Sequence, residues 1–216
     1  DGPFSAPING GPMGPLFFKN DYGIIRPNGT LVCALPFSRL TAGTIWNGAL
    51  ALATGGQERG VVLVDPESCE TTPLPIADGG LNNWVTSVQA VDLNDNGSDE
   101  LVVATGSSYG YAIRAISSDG QTVLDHKSMG DFRNLFPLAG GNGKTFVAAL
   151  SNFHLSPYFF PDGGQSGIAT ITWTEDGFDD AKFLPHPVID SLDAWMVTSG
   201  DLDNDGDIDI VGTHAN

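Results

Sequence analysis

The sequence predicts an all-β protein, and three observations carry that prediction. Glycine and proline are frequent, at 28 and 14 of 216 residues, whereas only 16% of the residues are charged. Short runs of Val, Ile, Leu and Ala alternate with turn residues along the whole chain, which is typical of many short strands. No segment shows a sustained helical apolar period, so we expect no long amphipathic helix.

The predicted strands fall into repeated groups. After an extended Pro/Gly-rich lead-in over residues 1–14, the groups cover approximately residues 15–36, 37–76, 84–128, 132–187 and 194–216. Small apolar runs at residues 49–55, 100–106, 144–150 and 207–213 mark the second strand of the last four groups. Such runs are typical of strands that are buried on both faces. Groups of four strands, recurring at intervals of roughly 40–60 residues, predict a β-propeller of four-stranded antiparallel blades, with a two-sheet sandwich as the alternative.

The blade count is left open between two arrangements. About four blades fit in the chain, either as a closed four-bladed ring whose first and last strands share one sheet or as part of a larger propeller. We favour the second arrangement, because the N-terminal and C-terminal strands together exceed one blade. The chain also begins with Asp1 rather than Met, which fits a processed or partial chain.

The charge balance excludes several classes of partner. The formal net charge is −17 with only nine Lys and Arg, so nucleic acids and anionic membrane surfaces are not expected to bind. No apolar span is long enough for a transmembrane helix, and we expect no membrane insertion. Cys33 and Cys69 form either one disulfide or two free thiols; we favour the disulfide, which fits a secreted or cell-surface protein.

Two stretches concentrate oxygen ligands. Residues 200–211 read G-D-L-D-N-D-G-D-I-D-I-V, and residues 91–102 read V-D-L-N-D-N-G-S-D-E-L-V. In each, alternating acidic or amide side chains precede a glycine and then an apolar run. Carboxylate and amide oxygens at this density suit Ca²⁺ better than any softer metal. An EF-hand is excluded, because it needs Glu at the twelfth position, where this chain has Val103 or Gly212, and because strands follow both loops.

These stretches, extended to the preceding tryptophans at residues 84 and 195, resemble FG-GAP/VCBS repeats, which build β-propellers such as the integrin α-subunit head. The resemblance implies Ca²⁺ bound by positions one, three, five and nine of each loop and by the carbonyl at position seven. It therefore implies two Ca²⁺ sites. The first contains Asp92, Asn94, Asn96, Glu100 and the Ser98 carbonyl; the second contains Asp201, Asp203, Asp205, Asp209 and the Asp207 carbonyl.

We expect the ions to be structural and the two sites to differ in strength. The first loop has two neutral Asn amides where the second has carboxylates, so it should bind Ca²⁺ more weakly. Residues 41–44 and 140–143, read as the counterparts in two other groups, lack carboxylates and should bind no metal. Asn28 begins a glycosylation sequon in a predicted hairpin turn. Asn96 also begins one, but as a metal ligand it should remain unmodified.

The stretch at residues 152–166 is an insertion that a blade does not need. It concentrates aromatic side chains that suit a carbohydrate or protein ligand, although the same residues could pack over a neighbouring blade. The candidate ligand-binding residues are Phe153, His154, Tyr158, Phe159 and Phe160.

No hydrolase or nucleotide-binding motif is found, and the four histidines lack metal-ligand spacing. The expected function is therefore a Ca²⁺-binding extracellular module for ligand binding or adhesion, rather than an enzyme. The alternatives are the propeller domain of a secreted polysaccharide lyase or hydrolase, or a structural subunit that contacts further blades or subunits.

Overall fold

The computed structural model describes residues 6–8, 14–19, 23–37, 40–54, 60–74, 84–106, 112–138, 143–151, 167–184 and 194–214. The fold is all-β, and these residues contain strands and turns but no helix. The strands form five antiparallel sheets, which we number I to V in chain order.

Four sheets contain four or five strands each, and sheet V contains two. Sheet I consists of β1 (Ala6–Ile8), β2 (Leu16–Lys19), β3 (Gly23–Ile25) and β4 (Leu31–Cys33). Sheet II consists of β5 (Leu40–Trp46), β6 (Ala49–Thr54), β7 (Gly60–Val64) and β8 (Thr71–Pro73). Sheet III consists of β9 (Trp84–Val91), β10 (Glu100–Gly106), β11 (Ala112–Ile116) and β12 (Val123–Ser128). Sheet IV consists of β13 (Asp131–Pro137), β14 (Thr145–Ser151), β15 (Gly167–Thr174), β16 (Gly177–Phe178) and β17 (Lys182–Phe183), and sheet V consists of β18 (Ala194–Gly200) and β19 (Asp209–His214).

The five sheets pack one against the next in chain order. Within each sheet, neighbouring strands follow one another in sequence, except that β15 pairs with both β16 and β17. The first strands of successive sheets pack together in the order β1, β5, β9, β13 and β18. An apolar core lies between each pair of neighbouring sheets. Packing of this kind gives each internal sheet two buried faces.

The second strands β6, β10 and β14 confirm the prediction from the small apolar runs. All seven residues of β10 are buried, for example, and its alternate side chains contribute to the cores on either side. The fourth run behaves differently. In β19, Val211 and Gly212 are exposed, so the expectation of burial on both faces is wrong for this strand.

Three local predictions can be compared with the structure. The Pro/Gly-rich lead-in contains strand β1, because residues 6–8 pair with β2. The sequence pattern predicts a strand from Leu40 to Ile45, and β5 confirms it; residues 41–44 therefore lie in a strand rather than in a counterpart of the metal loops, and the connection from β5 to β6 is the two-residue turn Asn47-Gly48. Both turn residues have positive φ, 51° and 81°, which suits an Asn-Gly hairpin. The predicted turn at Asn28-Gly29 is confirmed, because Gly29 N donates a hydrogen bond to Arg26 O.

The first and last strands do not share a sheet. Strands β1–β4 form sheet I by themselves, and β18 and β19 pair with each other. The alternative of a four-bladed ring closed within one shared sheet is therefore wrong for the strands that the structure describes, which form five sheets.

A disulfide joins the first two sheets. Cys33 at the end of β4 is bonded to Cys69 in the β7–β8 connection, with 5.5 Å between the two Cα atoms. The preference for a disulfide over two thiols is confirmed. Within the described residues, no helix is long and apolar enough to cross a membrane.

Candidate metal sites

The two acidic stretches form equivalent loops. Loop L1, residues 92–99, joins β9 to β10, and loop L2, residues 201–208, joins β18 to β19. Each loop therefore connects the first and second strands of its sheet. Each is closed at its base by a strand pair, Val91 with Glu100 in L1 and Gly200 with Asp209 in L2. The strand context expected from the sequence is confirmed for both.

In L2, the acidic side chains fold the loop by accepting hydrogen bonds from its own backbone. The two carboxylate oxygens of Asp201 accept from Asp205 N and Gly206 N, both at 3.1 Å. Asp203 also accepts from Asp205 N at 3.3 Å, and Asp205 accepts from Asp207 N at 2.9 Å. At the end of the loop, Asp209 accepts from Leu202 N at 2.9 Å.

Loop L1 repeats this set of five hydrogen bonds position for position. Asp92 accepts from Asn96 N at 3.0 Å and from Gly97 N at 2.8 Å. The other three bonds run from Asn96 N to Asn94 Oδ1, from Ser98 N to Asn96 Oδ1 and from Leu93 N to Glu100 Oε2. The backbone repeats too, since the fourth residue of each loop has a positive φ, 59° in L1 and 61° in L2.

Three carboxylates of L2 lie close enough together to bind one metal ion. Asp201, Asp203 and Asp209 each offer an oxygen, and these oxygens lie within 4.8 Å of one another. Because Ca²⁺ binds oxygen at 2.3–2.6 Å, two of its ligands lie at most about 4.6–5.2 Å apart. The donor set therefore fits a Ca²⁺ ion. None of the four ion pairs among the described residues involves these carboxylates, so their mutual repulsion is not offset in that way.

Loop L1 differs in one contact that changes its electrostatics. The side-chain amide of Asn94 donates a hydrogen bond to Glu100 Oε1 at 3.0 Å, while Leu93 N occupies the other oxygen. Glu100 is only 1% exposed, and a buried carboxylate is costly unless it is paired. The Asn94 amide thus supplies part of the positive charge density that a cation would supply. We conclude that L1 holds its shape with less charge repulsion than L2.

The neighbouring sheets hold L1 from both sides. Trp46 of sheet II donates its indole N–H to Asp99 O at 2.7 Å, and Lys144 before β14 contacts Asp95 Oδ2 at 2.6 Å. Trp46 is 3% exposed, so its N–H needs such a partner. Neither contact was predicted from the sequence. The chain has only nine Lys and Arg, and this scarcity is the one feature of the sequence that could have drawn attention to Lys144.

All ten predicted metal-site residues lie in these loops or at their bases. The structure brings three of them, Asp201, Asp203 and Asp209, together as one carboxylate cluster, while the first site presents only two carboxylates, Asp92 and Glu100. Five predicted ligand-binding residues lie outside the described residues: Phe153, His154, Tyr158, Phe159 and Phe160. The insertion that carries them joins β14 to β15.

A scan against protein-family models finds no match to this chain, and a search of curated proteins finds none either.

Proposed function

We propose that this protein is a Ca²⁺-binding β-propeller that acts outside the cell as a ligand-binding or adhesion module. The observation that carries the proposal is the repeated loop. L1 and L2 have the same place in their sheets, the same five hydrogen bonds and oxygen-bearing side chains at the same positions. Two loops that share this shape and these side chains are expected to bind the same kind of ligand.

Five antiparallel sheets in a row, each led by a strand that packs on the first strand of the next sheet, support the propeller architecture. The resemblance of residues 84–104 and 195–211 to FG-GAP/VCBS repeats leads to the same architecture. Within it, the sheets are blades, and they form part of a larger propeller rather than a closed four-bladed ring.

The role proposed for Ca²⁺ is structural. In L2, Asp201, Asp203, Asp205 and Asp209 provide hard oxygen ligands, while the L2 backbone already donates to these side chains. Bound Ca²⁺ supplies a positive charge that cancels the repulsion between them. Because the ion binds only the folded loop, binding adds to the free energy of unfolding. L1, in which Asn94 already bonds to Glu100, is the weaker of the two sites.

The extracellular location is supported by the Cys33–Cys69 disulfide, because such bonds persist in oxidising compartments. The net charge of −17 is unsuited to nucleic acids. The proposed partner is therefore a carbohydrate or a protein, and the aromatic stretch at residues 152–166 is the candidate contact.

Thermal melting tests the metal role. The midpoint should rise when saturating Ca²⁺ replaces chelator, by about 5–10 °C per site if Ca²⁺ is at a hundred times its Kd. Mg²⁺ at the same concentration is the control, since it demands a tighter octahedral geometry and should give a smaller rise. An unchanged midpoint would contradict structural Ca²⁺.

A glycan array, run once with Ca²⁺ and once with chelator, tests the binding role. Binding that requires Ca²⁺ would support a carbohydrate-binding module whose shape depends on the ion. Absence of binding in both conditions would argue against a carbohydrate ligand and would favour a protein partner.

A further inference from the structure

The turn between β3 and β4 contains a sequence motif that has no part in the metal sites. Residues 28–30 read Asn-Gly-Thr, which is one of two sequons for N-linked glycosylation in the chain; the other is at residues 96–98. Two backbone hydrogen bonds close the turn, from Gly29 N to Arg26 O and from Arg26 N to Thr30 O, both at 2.9 Å. The motif therefore lies on a formed hairpin turn of sheet I.

The turn is open to solvent. All residues from Arg26 to Thr30 are exposed. A Cβ atom added to Gly29 would meet no atom of the described residues within 4 Å, apart from those of its chain neighbours. A glycan is bulky and hydrophilic, so it needs a surface position of this kind.

The side chain of Asn28 leaves its nitrogen available. Its oxygen, Oδ1, accepts a hydrogen bond from Thr30 N at 3.0 Å. Among the residues that the structure describes, none accepts a hydrogen bond from Asn28 Nδ2, the atom to which an N-linked glycan is attached. Asn47, in the other Asn-Gly hairpin turn, differs on both counts: it begins no sequon, and its Nδ2 donates to Ser118 O at 2.6 Å.

We propose that Asn28 is a site of N-linked glycosylation. In this reaction Asn28 Nδ2 forms a bond to the anomeric carbon of an oligosaccharide, and the bond from that carbon to a lipid diphosphate carrier breaks. The lipid diphosphate leaves, and Nδ2 loses one proton to a base of the transferase. The proposal rests on the extracellular location proposed above, because the lipid-linked donor is met on the secretory route, where the Cys33–Cys69 disulfide also forms.

Peptide mapping by mass spectrometry tests the proposal on the full chain, secreted from eukaryotic cells behind a secretory leader. Enzymatic release of an N-linked glycan by a peptide amidase converts the modified Asn to Asp, so the converted position identifies the site. We expect conversion of Asn28 in most molecules. Asn47 is the internal control and should remain unconverted, because it begins no sequon.

Two variants at Thr30 are the matched controls. Thr30→Ser keeps the sequon and should keep the glycan, whereas Thr30→Ala removes the hydroxyl but leaves Asn28 in place, and should abolish the modification. Thr30 is exposed, so both variants should melt within a few degrees of the wild type.

An unmodified Asn28 in the secreted wild type would overturn the proposal, as would a glycan that persists in Thr30→Ala. Titration of free thiols in the same sample separates this failure from a failure of the proposed location. An unmodified Asn28 together with a closed disulfide overturns the glycosylation alone, whereas free thiols would also contradict the extracellular location.

Discussion

Replacing Asn94 by Asp gives L1 the side chain that L2 has at its third position, Asp203. The change removes the hydrogen bond that the Asn94 amide donates to Glu100 and places a second carboxylate beside it. Because Glu100 is only 1% exposed, water cannot replace the lost hydrogen bond, and the unpaired carboxylate oxygen lowers the free energy of unfolding. We expect the variant to be less stable than the wild type without Ca²⁺ and to depend on Ca²⁺ more strongly.

The size of the effect follows from the burial of Glu100. A hydrogen bond to a charged group contributes about 1.5–3 kcal/mol, and its loss should appear nearly in full at a buried carboxylate. In a chain of this size, each kcal/mol shifts the melting midpoint by about 2–4 °C. In chelator, Asn94→Asp should therefore melt about 3–12 °C below the wild type. In saturating Ca²⁺ the deficit should shrink, since the added carboxylate becomes a ligand.

The reciprocal variant, Asp203→Asn, is the matched control at the same position of L2. It relieves repulsion among exposed carboxylates, so its midpoint in chelator should equal or exceed that of the wild type. Its gain on adding Ca²⁺ should be smaller, because one charged ligand is lost. Differential scanning fluorimetry of both variants, in chelator and in Ca²⁺, measures all four shifts.

In chelator, therefore, Asn94→Asp should melt below the wild type, and Asp203→Asn should not. If Asn94→Asp melts with the wild type in chelator, the amide does not stabilise Glu100. If Asn94→Asp gains no more from Ca²⁺ than the wild type does, L1 is not a metal site.

Two further predictions concern features away from the loops. Replacing Cys33 and Cys69 together by Ser opens a link that spans 36 residues, and chain entropy predicts a loss of about 4 kcal/mol, or about 8–15 °C in the melting midpoint; a loss below about 2 °C would contradict it. The pKa of Asp180 lies below its ordinary value of 3.8, because the Lys127 ammonium donates a hydrogen bond to it. The stabilisation that Asp180 gains from Lys127 is fully present above pH 3.8 and is lost as the pH falls through the lowered pKa. Asp180→Asn should therefore melt below the wild type at pH 5 and at the same temperature as the wild type at strongly acidic pH. Equal midpoints at pH 5 would refute this prediction.

Local sequence patterns predicted the features that depend on local chemistry. The second strands β6, β10 and β14 follow from runs of small apolar residues, and the turns at Asn28 and Asn47 follow from Asn-Gly pairs. The placement of L1 and L2 between first and second strands follows from the ligand spacing and the apolar run after it. In each case, neighbouring residues alone favour the observed structure.

Features that depend on distant partners were missed. Strand β1 lies in a segment rich in Pro and Gly, and it exists because it pairs with β2. The exposure of Val211 also has no local cause, because its sequence matches that of buried strands. What differs is the absence of a covering sheet among the described residues.

The candidate metal sites were also predicted only in part. Their oxygen-bearing side chains follow from the spacing in the loops, but the hydrogen bond that the Asn94 side-chain NH2 donates to Glu100 was not predicted. The contacts of Trp46 and Lys144 with L1 come from other sheets, about 50 residues away in sequence for each. Side chains that reach across sheets cannot be identified from spacing within one loop.

Isothermal titration of the metal-stripped chain with Ca²⁺ tests the central claim most directly. We predict two ions bound per chain with distinguishable affinities, and a weakening of the tighter event in Asp203→Asn. A titration without binding heat, confirmed by equilibrium dialysis that shows no retained Ca²⁺, would contradict the account.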